Sequence, residues 1–506
     1  MFKFLYTPTY TYVEEDLPVE LVEEVLTFSS EYITFWDDAR KMKTSYPIRK
    51  KVTWKFYEWD RHDGLRWKFP SGFLPRVIKA LGEENIEIEL KVDKPRKEYD
   101  FQTSLSSWLK ENDKELRYFQ DEAADLIQDY DSGVLEVGTG GGKTLIYANI
   151  IAKLGVKALF ITVDLQSKND TYLDEKDGGG FVNFFGTENV STIDRKGYEA
   201  YPIVVANIQN CWAKYKKRDR TFMNYLQTVD LLIFNECHHI NESNVKTSLS
   251  NTWYKMAMEI PAWYRVGATG TAGEDGTLKR ELLRGAIGET IYKKDTRALI
   301  QEGYACEIEA HVYKMPFFNT EHVKYVKAFE TLITNQDFLK NIVLLARHYS
   351  KGSKKVVLFC EWREKQAIVL NDMLGKDSGV IHGLMKKDER DEVLKDFIDG
   401  KFSILVTTVL NEDFNLPALD AGIVIGKQAS EVTLKQRIGR MARVFEGKKK
   451  GYLVFIQPED KKQTTDRNGK IKYVPGIISR QSIKAIDIIR KEGHTILFKD
   501  LADLYL

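Results

Sequence analysis

A chain of 506 residues is too long for a single hydrophobic core, and its length predicts roughly three or four domains. Its 43% hydrophobic and 29% charged content is typical of a soluble globular protein, without an apolar run long enough to span a bilayer. The net charge of +1 neither indicates nor excludes a polyanionic partner, because such binding depends on where the charges lie.

The first residues and the cysteines indicate the compartment. The start MFKFLYTPTYTYVEED lacks the apolar core and small-residue cleavage site of a signal peptide, so we expect a cytoplasmic location. The cysteines are too scattered for a metal-binding pattern or a disulfide framework, and we expect four buried thiols: Cys211, Cys237, Cys306 and Cys360.

The first hundred residues contain a basic segment. Between residues 40 and 79 there are twelve Lys or Arg and three acidic residues, with aromatic side chains among them: Trp54, Tyr57, Trp59 and Trp67. The run VTWKFYEW, a turn at Asp63-Gly64 and the run LRWKF indicate a hairpin, which a helix near residues 74–81 and the strand IEIEL follow. We expect a small α+β module here.

Short β-branched runs then alternate with longer amphipathic stretches. The first series is GVLEV, ALFITV, PIVVA, LLIF and YRVGAT, and the second is KVVLFC, SGVIHG, SILVTT, AGIVIG and GYLVFI. This alternation predicts two tandem α/β lobes with parallel sheets, joined by a linker near residues 306–319. The tail after Pro458 predicts a hairpin turned at Asn468-Gly469 and a terminal helix.

A glycine-rich loop follows the first of these strands. The segment from Val137 to Thr144 reads VGTGGGKT and precedes the helical pattern LIYANIIAKL. Backbone N–H groups of Thr139, Gly140, Gly141 and Gly142 would converge on phosphate oxygens at the start of this helix. Lys143 would reach the β and γ phosphates and Thr144 would offer its hydroxyl to Mg²⁺, so we expect ATP and Mg²⁺ as cofactors, although Val137 departs from the strict pattern.

The buried run LLIF ends in the sequence NECHH. A carboxylate at the end of a strand beside a phosphate loop can hold the metal's water shell and activate the attacking water. Glu236 is the only carboxylate there, and we assign it the role of general base. His238 is expected to couple or pack, because His238-His239 has no ligand spacing.

The order of these motifs resembles that of superfamily 2 helicases of the DExH type, over about residues 105–457. In LRYFQDEA the resemblance implies that Gln120 contacts adenine, with Arg117 nearby. The run QRIGRMAR resembles the motif whose arginines reach the γ phosphate, so Arg440 and Arg443, with Gln436, are implied to be catalytic. The implied fold is two RecA-like lobes.

Other segments resemble the family's remaining motifs. Thr269-Gly270-Thr271 is similar to the motif that couples hydrolysis to lobe movement, which implies a coupling role for Thr269 and Thr271. Looser matches imply contacts to the sugar-phosphate backbone by three residues: Thr162, Gln209 and Thr408.

Asn235 departs from the family pattern, which has an aspartate on the metal side. An amide can accept a hydrogen bond from a metal-bound water but adds no charge to the metal site. Two interpretations remain open: the ATPase is natively weakened, or Asn235 was introduced to trap a complex. In the later motif, Asp413 and Asn415 also stand where a glycine and an aspartate are usual.

The N-terminal module is similar to that of the phage branch-migration helicases of the UvsW type, through Trp59-Asp60, Gly64, Phe69-Pro70 and Gly72. That resemblance implies DNA, forked or branched, as the partner, and the host cytoplasm as location. Candidate DNA-binding residues of the module are Lys50, Lys51, Lys55, Trp59 and Trp67. The alternative is a packing module whose tryptophans lie in the core.

We therefore expect an N-terminal DNA-binding domain (1–104), two helicase lobes (105–308 and 309–457) and a C-terminal extension (458–506). The favoured function is an ATP-dependent, monomeric DNA helicase or translocase that remodels forked or branched DNA. Two alternatives remain open: an RNA-directed helicase, and a nucleic-acid-binding protein that binds ATP but hydrolyses it weakly.

Overall fold

The computed structural model describes residues 2–13, 20–37, 42–60, 66–92, 99–138, 140–163, 165–173, 179–194, 197–241, 252–273, 275–316, 324–352, 354–409, 419–425, 431–442, 448, 450–465 and 471–504. Residues 1–137 and 142–293 form one compact unit, and residues 138–141 and 294–506 form the second. No helix in these ranges is both long and apolar enough to cross a membrane.

The N-terminal module contains a mixed five-stranded sheet and a separate two-stranded hairpin. Its strands are β1 (Phe2–Tyr6), β2 (Tyr10–Val13), β3 (Thr27–Asp37), β4 (Met42–Lys55), β5 (Glu58–Asp60), β6 (Arg66–Pro70) and β7 (Ile88–Val92). Its helices are α1 (Glu20–Glu23), the short 3₁₀ helix Ser71–Phe73 and α2 (Leu74–Glu83). The sheet order is β5-β6-β2-β1-β7, and β3 pairs with β4.

The basic hairpin differs from the sequence prediction in its first strand. Trp59 pairs with Trp67 across β5 and β6, as expected, while the turn at Asp63-Gly64 lies outside the described residues. The start of the run VTWKFYEW belongs instead to β4, where Val52 pairs with Ser30 of β3. The predicted single strand is therefore split between two sheets.

The first lobe is a seven-stranded sheet in the order β10-β11-β9-β12-β13-β8-β14, with helices on both faces. Its strands are β8 (Ser132–Val137), β9 (Ala158–Thr162), β10 (Val190–Thr192), β11 (Ile203–Asn207), β12 (Leu231–Asn235), β13 (Tyr264–Thr269) and β14 (Thr290–Lys294). Its helices are α3 (Gln102–Glu111), α4 (Tyr118–Tyr130), α5 (Lys143–Leu154), α6 (Leu165–Tyr172), α7 (Phe181–Phe185), α8 (Ile208–Lys216), α9 (Arg220–Leu226), the 3₁₀ turn Cys237–His239, α10 (Thr252–Glu259) and α11 (Leu278–Ala286).

Buried β-branched residues explain this sheet. Side chains alternate between its faces, so Leu159 and Ile161 of β9 pack into one core while Phe160 packs into the other. The first core is continuous with that of the N-terminal module, since Phe73 and Leu81 belong to the same cluster. The module and the first lobe are thus parts of one compact unit.

The second lobe is a parallel sheet in the order β17-β18-β16-β19-β20-β15-β23. Its unit contains the strands β15 (Glu307–Pro316), β16 (Val356–Phe359), β17 (Ser378–Ile381), β18 (Ile404–Thr407), β19 (Ala421–Val424), β20 (Lys450–Glu459), β21 (Lys461–Thr465), β22 (Ile471–Pro475) and β23 (Thr495–Lys499). Its helices are α12 (Thr296–Gln301), α13 (Tyr325–Ile333), α14 (Gln336–Tyr349), the π-helix Arg363–Ile368, α15 (Val369–Leu374), the 3₁₀ turn Gly375–Asp377, α16 (Lys387–Ile398), α17 (Glu431–Met441), α18 (Ile477–Lys491) and the 3₁₀ turn Leu501–Leu504.

The expected α/β architecture of two tandem RecA-like lobes with a small N-terminal α+β domain is confirmed. The predicted linker near residues 306–319 is wrong, because residues 307–316 form the ten-residue strand β15 between β20 and β23. In the tail, the hairpin β21–β22 and helix α18 are confirmed, and β23 joins the second sheet. The turn at Asn468-Gly469 lies outside the described residues, and the three boundaries between the four expected domains stay a prediction.

Candidate nucleotide site and nucleic-acid contacts

Two glycines of the phosphate loop, Gly138 and Gly142, are required by close contacts. A Cβ atom at Gly138 would lie 2.8 Å from the hydroxyl of Thr296, and one at Gly142 would lie 2.5 Å from Nε2 of Gln120. Gly142 also adopts a positive φ of 73° immediately before α5, a conformation that glycine adopts without strain. The loop therefore presents backbone, without side chains, at the start of a twelve-residue helix. Of the predicted phosphate-binding residues, Thr139 lies outside the described ones.

Gln120 connects the start of α4 to the phosphate loop. Its Oε1 accepts a hydrogen bond from the backbone N–H of Arg117 at 2.9 Å, and its Nε2 donates to the carbonyl of Gly142 at 3.4 Å. The side chain is buried. Contacts of Gln120 and Arg117 with adenine stay a prediction.

Glu236 lies directly after β12, where its carboxylate meets three polar groups. Oε1 is 3.3 Å from Nζ of Lys143, and Oε2 is 3.2 Å from Nδ1 of His238 and 3.5 Å from Oγ1 of Thr269. The residue has a positive φ of 56°, which is uncommon outside glycine and costs about 1 kcal/mol or more. Strain of this kind persists only where the surroundings enforce it, as they do at functional sites.

The predicted coupling residues form one hydrogen-bonded group with this carboxylate. Nδ1 of His238 lies 3.0 Å from Oγ1 of Thr269, and that oxygen also accepts from the backbone N–H of Thr271 at 3.1 Å. His238 and Thr269 are buried. A change in the position or protonation of Glu236 would therefore alter the hydrogen bonds of the segment that follows β13.

Asn235 has a partner that the sequence analysis missed. The hydroxyl of Tyr147 donates to Oδ1 of Asn235 at 3.0 Å. Burial first, and then the nearby charge of Glu236, raise the pKa of Tyr147 well above its usual value, so the phenol remains a donor. The available signal was its position on α5, one helical turn after Lys143 and on the same face.

The residues present fit a magnesium-bound triphosphate. The cradle of glycine backbone accommodates phosphate oxygens, while the exposed hydroxyl of Thr144, the amide oxygen of Asn235 and the carboxylate of Glu236 are oxygen donors of the kind Mg²⁺ prefers. Within the described ranges no group of three or more His, Cys, Asp or Glu side chains could hold a metal. Mg²⁺ bound to substrate phosphates usually keeps several waters and needs only one or two carboxylates.

The predicted catalytic residues of the second lobe lie on and after α17. Gln436 and Arg440 are on this helix, but their side chains, and all of Arg443, are outside the described part of the structure. Arg437 lies 5.0 Å above the ring of Phe359, and burial lowers its pKa to about 10. Arg437 is therefore a core residue of this lobe.

The three predicted backbone-contact residues differ in exposure. Thr162 is fully buried and its hydroxyl donates to the carbonyl of Ala206 at 3.4 Å. Gln209 is exposed in the first turn of α8, and Thr408 is half-buried after β18. Their contacts with nucleic acid stay a prediction, which the exposed Gln209 suits best and the buried Thr162 least.

The N-terminal candidates also differ. Trp67 is only 6% exposed, and its ring stacks on Tyr57 with centroids 4.9 Å apart. This burial favours the alternative of a core tryptophan, and base stacking by Trp67 stays a prediction. Lys55 is exposed and pairs with Glu23 at 3.0 Å. Lys50 and Lys51 lie on β4 and Trp59 on β5, but their side chains are outside the described part.

Two family models match the chain. The model of the helicase conserved C-terminal domain matches residues 335–445, and that of the type III restriction enzyme res subunit matches residues 113–274. The DNA 3'-5' translocase XPB2 of Sulfurisphaera tokodaii is 25% identical over 418 residues, which are 72% of this chain and 85% of that protein. Three further curated relatives are covered over 58% to 65% of their own length.

Two solved structures are also similar to this chain. S. cerevisiae Dbp5 bound to RNA and ADP BeF3 is 15% identical with a TM-score of 0.55, over 79% of this chain and 94% of that one. T4 UvsW is 13% identical with a TM-score of 0.40, over 99% of both chains. The likeness to Dbp5 shows a shared fold.

Proposed function

The chain belongs to the superfamily 2 helicases of the DExH type, which are ATP-dependent enzymes, and we propose that it is a DNA translocase that remodels forked or branched duplexes. The observation that carries this proposal is the connected group at the end of β12. There Glu236 contacts Lys143 of the phosphate loop and the coupling residues His238 and Thr269 at once.

This group has the parts that phosphoryl transfer to water needs. Lys143 would hold the β and γ phosphates, and in doing so would release Glu236 from their 3.3 Å contact to accept a proton from the attacking water. A bound Mg²⁺ would neutralise phosphate charge, held by Thr144 and, through its waters, by Glu236 and Asn235. His238 and Thr269 would sense the protonation of Glu236, because both lie within hydrogen-bonding distance of Oε2.

Asn235 fits a working ATPase rather than a discarded site. Its amide oxygen is oriented by the hydroxyl of Tyr147, a buried donor on the helix that carries Lys143. A carbonyl oxygen has two lone pairs, so Asn235 can still accept a hydrogen bond from a metal-bound water. We propose that the site hydrolyses ATP with a weaker metal field than an aspartate would give.

DNA is favoured over RNA by the basic N-terminal module and by the similarity to XPB2, a DNA translocase. The module carries Lys55 exposed on β4, the strand that also holds Lys50 and Lys51. Lysines on a hairpin bind phosphates without reading sequence, which suits a protein that recognises the shape of a junction.

The deciding experiment is steady-state ATPase of the full chain with forked DNA, linear duplex DNA or structured RNA, with Glu236→Gln as the inactive control. We expect the largest stimulation by forked DNA. Greater stimulation by RNA would favour an RNA-directed helicase. Turnover at the level of Glu236→Gln with every nucleic acid would instead indicate a protein that only binds ATP.

The module is tested separately by the double change Lys50→Glu and Lys51→Glu. We expect weaker binding of forked duplex, with a salt dependence flatter by roughly 0.9 for each lost phosphate contact. ATPase without DNA should be unchanged, because the module's lysines are not part of the group around Glu236. An unchanged salt slope would leave the module as a packing domain.

A further inference from the structure

The C-terminal hairpin, defined as β21 and β22, is built on a rigid base. The buried carboxylate of Asp460 accepts hydrogen bonds from the backbone N–H groups of Ser479 at 2.6 Å and Ile478 at 3.3 Å. Its backbone carbonyl accepts from the N–H of Gly476 at 2.8 Å, which closes the two strands. A Cβ atom at Gly476 would lie 1.9 Å from Asp460, so this glycine is required for the closure.

One face of the hairpin exposes apolar side chains to solvent. Ile471 is 58% exposed and Tyr473 is 57% exposed, and both point to the same face because they are two residues apart on a strand. Pro475 follows on that face and is also exposed. The register places Lys461 opposite Pro475 and Gln463 opposite Tyr473. The result is an apolar ridge, formed by Ile471, Tyr473 and Pro475, that continues into Lys461.

The charge of the two strands has one sign. Residues 461–465 and 471–475 include Lys461, Lys462 and Lys472 and no acidic residue. Lys461 and Lys472 are exposed. Asp460, at the base, is buried and directed at the start of α18. A polyanion that also presents flat apolar surfaces matches this combination.

We propose that the C-terminal hairpin binds single-stranded nucleic acid, with a base stacked on Tyr473 beside Ile471 and the phosphates next to Lys461, which lies on the same face. Stacking on an aromatic ring and contact with lysines together are how proteins hold single strands without sequence preference. The proposal rests on the proposed function, in that nucleic acid is the substrate. It adds a single-strand site to the motor and places it on the chain's tail.

A single strand fits this surface better than a duplex or a protein partner. A duplex hides its base faces inside the stack, so it could use the lysines but not Tyr473. Interfaces between proteins are depleted of lysine, whereas this ridge continues into the exposed Lys461. Of the two tryptophans that the sequence suggested for stacking, Trp67 is buried, and the side chain of Trp59 lies outside the described part of the structure.

The test uses the full chain without ATP and measures fluorescence anisotropy with labelled oligo-dT, oligo-U and a blunt DNA duplex. We expect Tyr473→Ala to weaken binding of at least one single-stranded probe by about fivefold or more, with little effect on the duplex. Tyr473→Phe should bind within about twofold of the wild type, because it keeps the ring. The matched control is Tyr130→Ala, which removes a tyrosine that is 62% exposed at the end of α4.

Lys461→Gln should lower the salt dependence of single-strand binding by about 0.7. A Tyr473→Ala protein that binds oligo-dT and oligo-U as the Tyr130→Ala protein does would overturn the proposal, and so would equal loss on the duplex. A wild type whose ATPase is not stimulated by DNA would instead contradict the proposed function. The two failures are distinguishable because the binding assay contains no ATP.

Discussion

Replacing Trp67 by alanine tests whether the N-terminal module recognises bases or merely packs. The side chain is 6% exposed, stacks on Tyr57 and belongs to the core that the module shares with the first lobe. Removing a core tryptophan costs about 3 to 5 kcal/mol, through lost burial and the cavity that remains. Against a typical stability of about 5 to 15 kcal/mol, this is a large fraction.

The assay is urea unfolding of the full chain. Unfolding is monitored by far-ultraviolet circular dichroism and by the exposure of the module's buried side chains to solvent. We expect a midpoint shifted to lower urea for Trp67→Ala, and a smaller shift for Trp67→Phe, which keeps part of the aromatic volume. DNA binding measured well below the midpoint should be close to that of the wild type. A cost below about 1 kcal/mol together with lost unwinding would refute the assignment of Trp67 to the core and restore a stacking role.

Four further changes test the site and the second lobe. Lys143→Ala should abolish ATP turnover while DNA binding remains, since phosphate capture and DNA contact use different residues; loss of both in a folded protein would contradict this. Asn235→Asp should raise ATPase at low Mg²⁺, because the metal site gains a charge, and a magnesium titration without change would count against it. Arg443→Ala should retain binding of labelled ATP but lose hydrolysis by several orders of magnitude, and equal losses would indicate a ground-state role. His311 is buried on β15, where its Nε2 lies 2.6 Å from Oε1 of Glu309. Burial first lowers the pKa of His311, despite the opposing effect of Glu309, so its stabilising contribution is present above pH 6.5 and lost as the pH falls below it. The difference in melting temperature between wild type and His311→Gln should therefore shrink from pH 8 to pH 5.5. A constant difference would contradict the lowered pKa of His311.

The interior strands of both sheets could be predicted because a parallel sheet covered on both faces needs continuous apolar runs. Strand β15 was missed, although EIEAHVYKMP alternates polar and apolar residues as a strand does, because it lies between predicted lobes and its partner β20 begins far along the chain at Lys450. Glu309 and Lys450 form an ion pair at 3.1 Å across this pairing, which is invisible in a local pattern. Local periodicity of the sequence does not predict non-local strand pairing of this kind.

The nucleotide site was predictable where the chemistry is local, and not elsewhere. The glycine loop and Glu236 follow directly after strands, so motif and strand prediction reinforce each other. The contact between Tyr147 and Asn235 joins a helix and a strand that are 88 residues apart, and no motif marks it. The burial of Trp67 was not predictable, because basic neighbours on an edge hairpin are compatible with either face pointing outward.

The continuity of the module's core with that of the first lobe limits how this protein can be dissected. Gly72 lies against the backbone carbonyl of Arg284, Phe73 lies against Gly285, and Glu289 receives hydrogen bonds from both Arg76 and Arg284. Cutting the chain near residue 100 would expose apolar surface on α11 and remove Arg76 from its contact with Glu289, and an exposed apolar surface is prone to self-association. The module is therefore better studied by substituting its outer lysines than by deleting it. A fusion of the module to another helicase would have to include α11, the helix on which the module packs.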